Sequence, residues 1–191
     1  HIPTQSCRNS TILQFFHFND SFVCKPKINE VVYTVCDSSW AIARFPDTLQ
    51  PLGVDNMLVG DPGREVEDSG YEAIIHDEGT FYVIRESVKD EDKEYHAIVE
   101  ELDMRPDDYT IMDQCPCEFE FEGDSKGFEG AISVRNALDN EVIILGLCEG
   151  NHCSEERKGD KGNGRIVAMK KEVTEDGGCQ WSTLRTIKIP A

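Results

Sequence analysis

Apolar residues along this chain fall in short runs, broken every few positions by Gly, Asp, Asn or Pro. Val, Ile, Tyr, Phe and Thr dominate the runs, and polar residues alternate with them, which is the mark of strands with one buried face. The pattern predicts strands over 30–36, 40–45, 71–76, 80–86, 95–101, 109–113, 118–121, 128–134, 141–147, 165–170 and 181–189. The charged stretch 86–94 reads as a hairpin tip. No segment of 11 or more residues carries a helical stripe, so an all-β chain is expected.

A second regularity overlies the first. Gly70-Tyr71-Glu72-Ala73 and Gly127-Phe128-Glu129-Gly130 open two similar segments, their glycines 57 residues apart. Each opening leads into an apolar strand, a polar turn and a second strand closing on a carboxylate, Glu86 in one and Glu149 in the other. Two further strands follow in each case. Upstream, Val31 to Asp37 has the form of another second strand ending on a carboxylate. The repeat length suits a four-stranded propeller blade with generous loops, slightly above the ~40–50 residues of the commoner repeats. The expected architecture is a β-propeller region over 1–191 with about three four-stranded blades, at 11–69, 70–123 and 127–190. A propeller closes with at least about four blades, and raw sheet edges are an aggregation hazard. Further blades of the same protein or a partner chain are therefore expected beside it. A three-sheet prism or a distorted sandwich is the alternative.

The Gly–aromatic–Glu–Gly/Ala opening, with a second strand ending in Glu, resembles the blades of phytase-like and esterase-like β-propeller proteins. The likeness covers roughly residues 30–190 and is sharpest at 70–73 with Glu86 and at 127–130 with Glu149. It implies a propeller of about six blades, often extracytoplasmic, whose central channel is lined by carboxylates that in some members bind Ca²⁺. A complete catalytic set of that group is not matched here. In a propeller register Glu72 and Glu129 stand at the start of innermost strands, and Asp37, Glu86 and Glu149 at the end of second strands. A ring of carboxylates raises its own pKa values unless a cation offsets the repulsion. Ca²⁺, which takes 6–8 oxygen ligands, is the natural counter-ion. The same glutamates could equally cap the blades by accepting hydrogen bonds from turn N–H groups.

Charge narrows the choice of partners. The chain carries 37 acidic against 19 basic side chains, a net −18, and residues 61–129 hold 23 of the acidic ones against 6 basic. Phosphate backbones would be repelled, so nucleic acid is excluded as a partner. A cation, a basic protein or simple solubility remain. No apolar run approaches the ~18 residues of a membrane span. The eight cysteines are even in number and many for a cytosolic chain. Asn9-Ser10-Thr11 and Asn19-Asp20-Ser21 match the N-glycosylation pattern. Together these predict a secreted or luminal, disulfide-bearing glycoprotein. No signal peptide is visible, and the opening His1-Ile2-Pro3 fits a mature or fragment N-terminus.

Most cysteines are expected to be oxidised, with Cys148 and Cys153 as a local pair. Cys115-Pro116-Cys117 is too short to close on itself, so each of its cysteines is expected to bond elsewhere. A zinc site built from these cysteines and His152 is the competing reading, although neither spacing is the usual knuckle. His76 and His96 lie within strand patterns and read as packing or surface residues. No Ser–His–Asp spacing, phosphate loop or HExxH is present. The expected function is an extracytoplasmic binding or scaffold module with an acidic, Ca²⁺-attracting channel. The alternative is a Ca²⁺-dependent phosphoesterase or related esterase, so enzymatic activity stays open.

Overall fold

The computed structural model describes residues 27–28, 31–35, 40–46, 56–60, 70–123, 126–148 and 164–189, and no helix occurs among them. Twelve strands account for most of these residues: β1 (Lys27–Ile28), β2 (Val31–Val35), β3 (Ile42–Pro46), β4 (Met57–Val59), β5 (Tyr71–Asp77), β6 (Thr80–Lys89), β7 (Tyr95–Met104), β8 (Tyr109–Phe121), β9 (Phe128–Arg135), β10 (Val142–Cys148), β11 (Arg165–Val173) and β12 (Cys179–Lys188). The all-β expectation holds. The expected strands 109–113 and 118–121 are one strand, β8, which runs straight through Cys115-Pro116-Cys117. Proline is tolerated there because β8 is hydrogen-bonded along its length to β7 only, and meets β12 at a single rung.

The strands form three successive antiparallel meanders, β1–β4, β5–β8 and β9–β12. The first is a separate four-stranded sheet. The other two belong to one eight-stranded sheet, because β8 and β12 pair in parallel at Cys117 and Trp181. On the opposite margin β9 lies alongside β5 and runs the same way, with Gly127 near Glu72 at their starts and Arg135 on Asp77 at their ends. The eight-stranded sheet is thus nearly closed, a flattened barrel. This corrects the expectation of about three separate four-stranded blades, since joining along the β8–β12 margin leaves two sheets.

Two apolar layers hold the meanders face to face. Ala73, Ile75, Tyr82, Ile84 and Val99 of the second meander pack on Phe128, Ala131, Ile144, Val167, Met169 and Trp181 of the third. On the other face of the second meander, Tyr71, Ile74, Phe81, Val83 and Leu102 pack on Val35 and Ile42 of the first. Edge-on aromatic pairs cross both layers, Tyr82 with Trp181 at 5.9 Å and Trp40 with Tyr71 at 5.2 Å.

The second and third meanders correspond rung by rung. In β5, Tyr71 pairs with Arg85 and Ala73 with Ile84, so Glu72 is the extra residue of a β-bulge. In β9, Phe128 pairs with Cys148 and Gly130 with Leu147, so Glu129 is the extra residue of the same bulge. A second bulge recurs at the other end. Glu101 and Leu102 face Asp113 and Ile111, skipping Met112, as Ala168 and Met169 face Arg185 and Thr183, skipping Leu184. Bulges re-aim side chains and fix register, so two at matching positions make the likeness structural as well as sequential.

Candidate functional site

The Glu72 bulge sits at the seam between β5 and β9. The N–H of Glu86 donates to the carbonyl of Gly70 at 3.1 Å, and the N–H of Ser87 donates across the seam to the carbonyl of Lys126 at 3.1 Å. The Ser87 hydroxyl donates to the carbonyl of Gly123 at 2.7 Å. A Cβ placed on Gly127 would stand 3.5 Å from Cα of Glu86 and 3.9 Å from Cγ of Glu72. The structure therefore brings Glu72 and Glu86 together, against the segment that carries Glu129. Glu72 is only 7% exposed, and Glu86 and Glu129 are half-buried. Asp37 and Glu149, the other two expected carboxylates, lie outside the described residues. Among the described residues the groups of metal-ligand type lie elsewhere, Asp113 with Cys115 and Cys179 and Asp90 with Glu94 and His96, and the seam carbonyls of Gly70, Gly123 and Lys126 already accept hydrogen bonds.

A second polar constellation is more deeply buried, between the first and second meanders. The Tyr71 hydroxyl donates to Oε2 of Glu100 at 2.9 Å, and Arg85 and Gln114 donate to Oε1 at 3.3 and 3.2 Å. The Tyr109 hydroxyl lies 2.9 Å from that of Tyr71 and donates to the carbonyl of Trp40 at 3.2 Å. The Arg85 guanidinium stacks 4.6 Å from the Trp40 ring centroid. Burial, reinforced by the Glu100 charge, pushes the Tyr71 hydroxyl far above its ordinary value, so it stays a donor. Tyr71, Arg85 and Glu100 are buried, so the centre of this group anchors the two sheets away from solvent, with Gln114 exposed at its margin. Sequence reasoning missed it. Glu100 alternates with Ala97 and Val99 as a solvent-facing residue would, and only the cover supplied by the first sheet makes both faces interior.

The cysteines resolve in part. Cys115 is bonded to Cys179, across the β8–β12 margin. Cys117 is a free, buried thiol whose pKa is driven up by desolvation, which makes it unreactive and corrects the expectation that it bonds elsewhere. Cys148 is also disulfide-bonded, and Cys153, its expected partner, lies outside the described residues. Asp113 stands with Cys115 and Cys179 in a group of metal-ligand type. The disulfide consumes both thiols, and Lys171 holds Asp113 at 2.5 Å and Glu101 at 2.7 Å.

Of the histidines, His76 accepts a hydrogen bond from the N–H of Gly79 at 3.1 Å, a turn role, and burial lowers its pKa. His96 stands 3.5 Å from Asp90 and 3.7 Å from Glu94 at the β6–β7 tip. Its Nδ1 is buried with no acceptor among the described residues. A metal on Nε2 would force the proton onto that nitrogen, so the trio fits a hairpin clasp better than a metal centre.

No family model matches the chain, and neither a curated protein nor a solved structure does. Among the described residues no helix is long and apolar enough to cross a membrane, which says nothing of strands.

Proposed function

We propose that the chain is part of an extracytoplasmic β-propeller and serves as a binding or scaffold module with an acidic, cation-attracting channel. The observation that carries this reading is the stacking of two meanders in one register, with their first strands side by side and a bulged glutamate at the same point of each. In a propeller the first strands surround the axis. Glu72, Glu86 and Glu129 then line it. Ca²⁺ is the counter-ion such a group favours. The disulfides suit an oxidising compartment.

Calcium titration followed by calorimetry tests the channel. Ca²⁺ is expected to bind and to raise the melting temperature, and Glu72→Gln with Glu129→Gln is expected to abolish both effects. Equal binding by the double variant would sink the reading. The competing one, a Ca²⁺-dependent phosphoesterase, draws on the closeness of Glu72 and Glu86 at the seam. Calcium-dependent turnover of an aryl phosphate, lost in Glu72→Gln, would favour it.

A further inference from the structure

The rung-by-rung match between the second and third meanders assigns a use to a face that nothing described covers. In the second meander, Ile75, Tyr82, Ile84, Val99 and Cys115 point toward the third and form the interface core. The pairing registers place Ile132, Leu145, Leu147, Ile166 and Ile187 at the corresponding positions of the third. Those residues point away from the core, and Ile132, Leu147 and Ile187 are 58%, 42% and 43% exposed. Val134, on the same face of β9, is 39% exposed. Together they make an apolar patch on the order of 300–400 Å², the size at which exposed surface becomes informative.

We propose that this face seats a further four-stranded β-meander of the same repeat. The inference rests on the stacked-repeat reading above, and the face continues the series of interfaces already formed. Charge indicates what that meander presents. At the interface between the second and third meanders, Glu101 and Asp113 grip Lys171, and Asp77 grips Arg135. On the outer face of the third, the registers put Ala168 where Glu101 stands, Arg185 where Asp113 stands and Val134 where Asp77 stands. Arg185 is exposed, with no carboxylate partner among the described residues. The incoming sheet therefore carries a carboxylate at the position of Lys171 and an apolar residue at that of Arg135.

Site-specific photo-crosslinking in the polypeptide as its cells produce it tests this. A benzophenone amino acid replaces Leu147 in one variant and Tyr82 in another. Tyr82 is expected to cross-link to β11 or β12 of the same chain, because its ring already meets that of Trp181. Leu147 is expected to cross-link to a peptide outside residues 1–191 that bears a Gly–aromatic–Glu opening. A Tyr82 adduct with no Leu147 adduct overturns the docking and leaves the stacking intact. An adduct from Leu147 to residues 1–191 of another molecule makes the occupant a second copy and also overturns it. Failure at Tyr82 overturns the stacked-repeat reading itself.

Discussion

Where the second meander presents Tyr71, Arg85 and Glu100 to its neighbour, the third presents Phe128, Cys148 and Val167 at the matching rungs. The first set forms a hydrogen-bonded and ionic anchor, the second an apolar layer. Both meanders keep the same two bulges. What the repeat preserves is therefore register, which decides which side chains leave each face. The chemistry laid on that register is free to vary, provided every buried polar group finds partners. The difference tells a sheet-to-sheet joint locked by geometry from one held by area alone.

The largest expected effect comes from breaking the polar anchor. Glu100→Ala leaves the Arg85 charge buried beside Trp40 and removes the acceptor of Tyr71 and Gln114. Stranding one partner of a buried pair costs about 3–5 kcal/mol. Urea unfolding should show that loss. A loss below ~1 kcal/mol would mean that the two joints differ in chemistry without differing in dependence on it.

Next is the disulfide at the β8–β12 margin. The Cys115–Cys179 bond spans 64 residues and lies beside the only rung that joins those strands among the described residues. Replacing both cysteines by serine is expected to cost about 2–4 kcal/mol, chiefly by freeing the unfolded chain. Trp181, paired with Cys117 at that rung, provides a fluorescence reporter. Its emission should shift to the red if the margin opens.

Gly146 sharpens the comparison at a single side chain. Its counterpart in the second meander is Val83, fully buried beside Ile74 and Phe81. In the third, the Phe128 ring lies over the strand instead, and a Cβ on Gly146 would approach it to 2.5 Å. Gly146→Ala is expected to cost about 1–3 kcal/mol through overpacking. Phe128→Leu in the same chain should recover part of it, and a lack of coupling would show that the two positions do not share space.

Much of this architecture could be read from the residues. The strands of the second and third meanders, the hairpin tip between β6 and β7 and the Gly–aromatic–Glu opening all follow from alternation and turn chemistry. β1 and β4 did not, being 2 and 3 residues long, too short to show a period. Cys-Pro-Cys was misread as a break, because proline marks a turn unless the strand is free on one side. The site was legible only in part. Glu72 and Glu129 stood out by repetition, yet that they are bulge residues depends on pairing no single strand reveals. Nothing in the pattern marked Glu100 or Lys171, whose partners are up to 70 residues away.

The smallest effect tests whether exposed ion pairs contribute to the joint between the second and third meanders. A hydrogen bond from Lys171 holds Asp113 below its ordinary pKa of 3.8. Burial pulls Lys171 down, but its bonds to Asp113 and Glu101 outweigh that and hold it above 10.5. A lowered carboxylate stabilises the fold above its unfolded pKa, and the contribution fades as pH falls through the folded value. A raised lysine stabilises the fold below 10.5 and loses that contribution as pH rises through its folded value. Between those limits the pair contributes in full. Asp113 is 41% exposed and Lys171 31%, so solvent screens much of the attraction. Asp113→Asn is expected to cost less than about 1 kcal/mol near neutral pH. The difference from the parent protein should fade as pH falls below 3.8 and shrink as pH rises above 10.5, on either side of the window those shifts define. Urea midpoints of both proteins at pH 3, 7 and 11 measure it. A difference that persisted unchanged at pH 3 would mean that Asp113 acts by shape or hydrogen bonding rather than by charge. The Lys171 end of the joint would then owe its strength to the apolar layer and the disulfide rather than to the charge of Asp113.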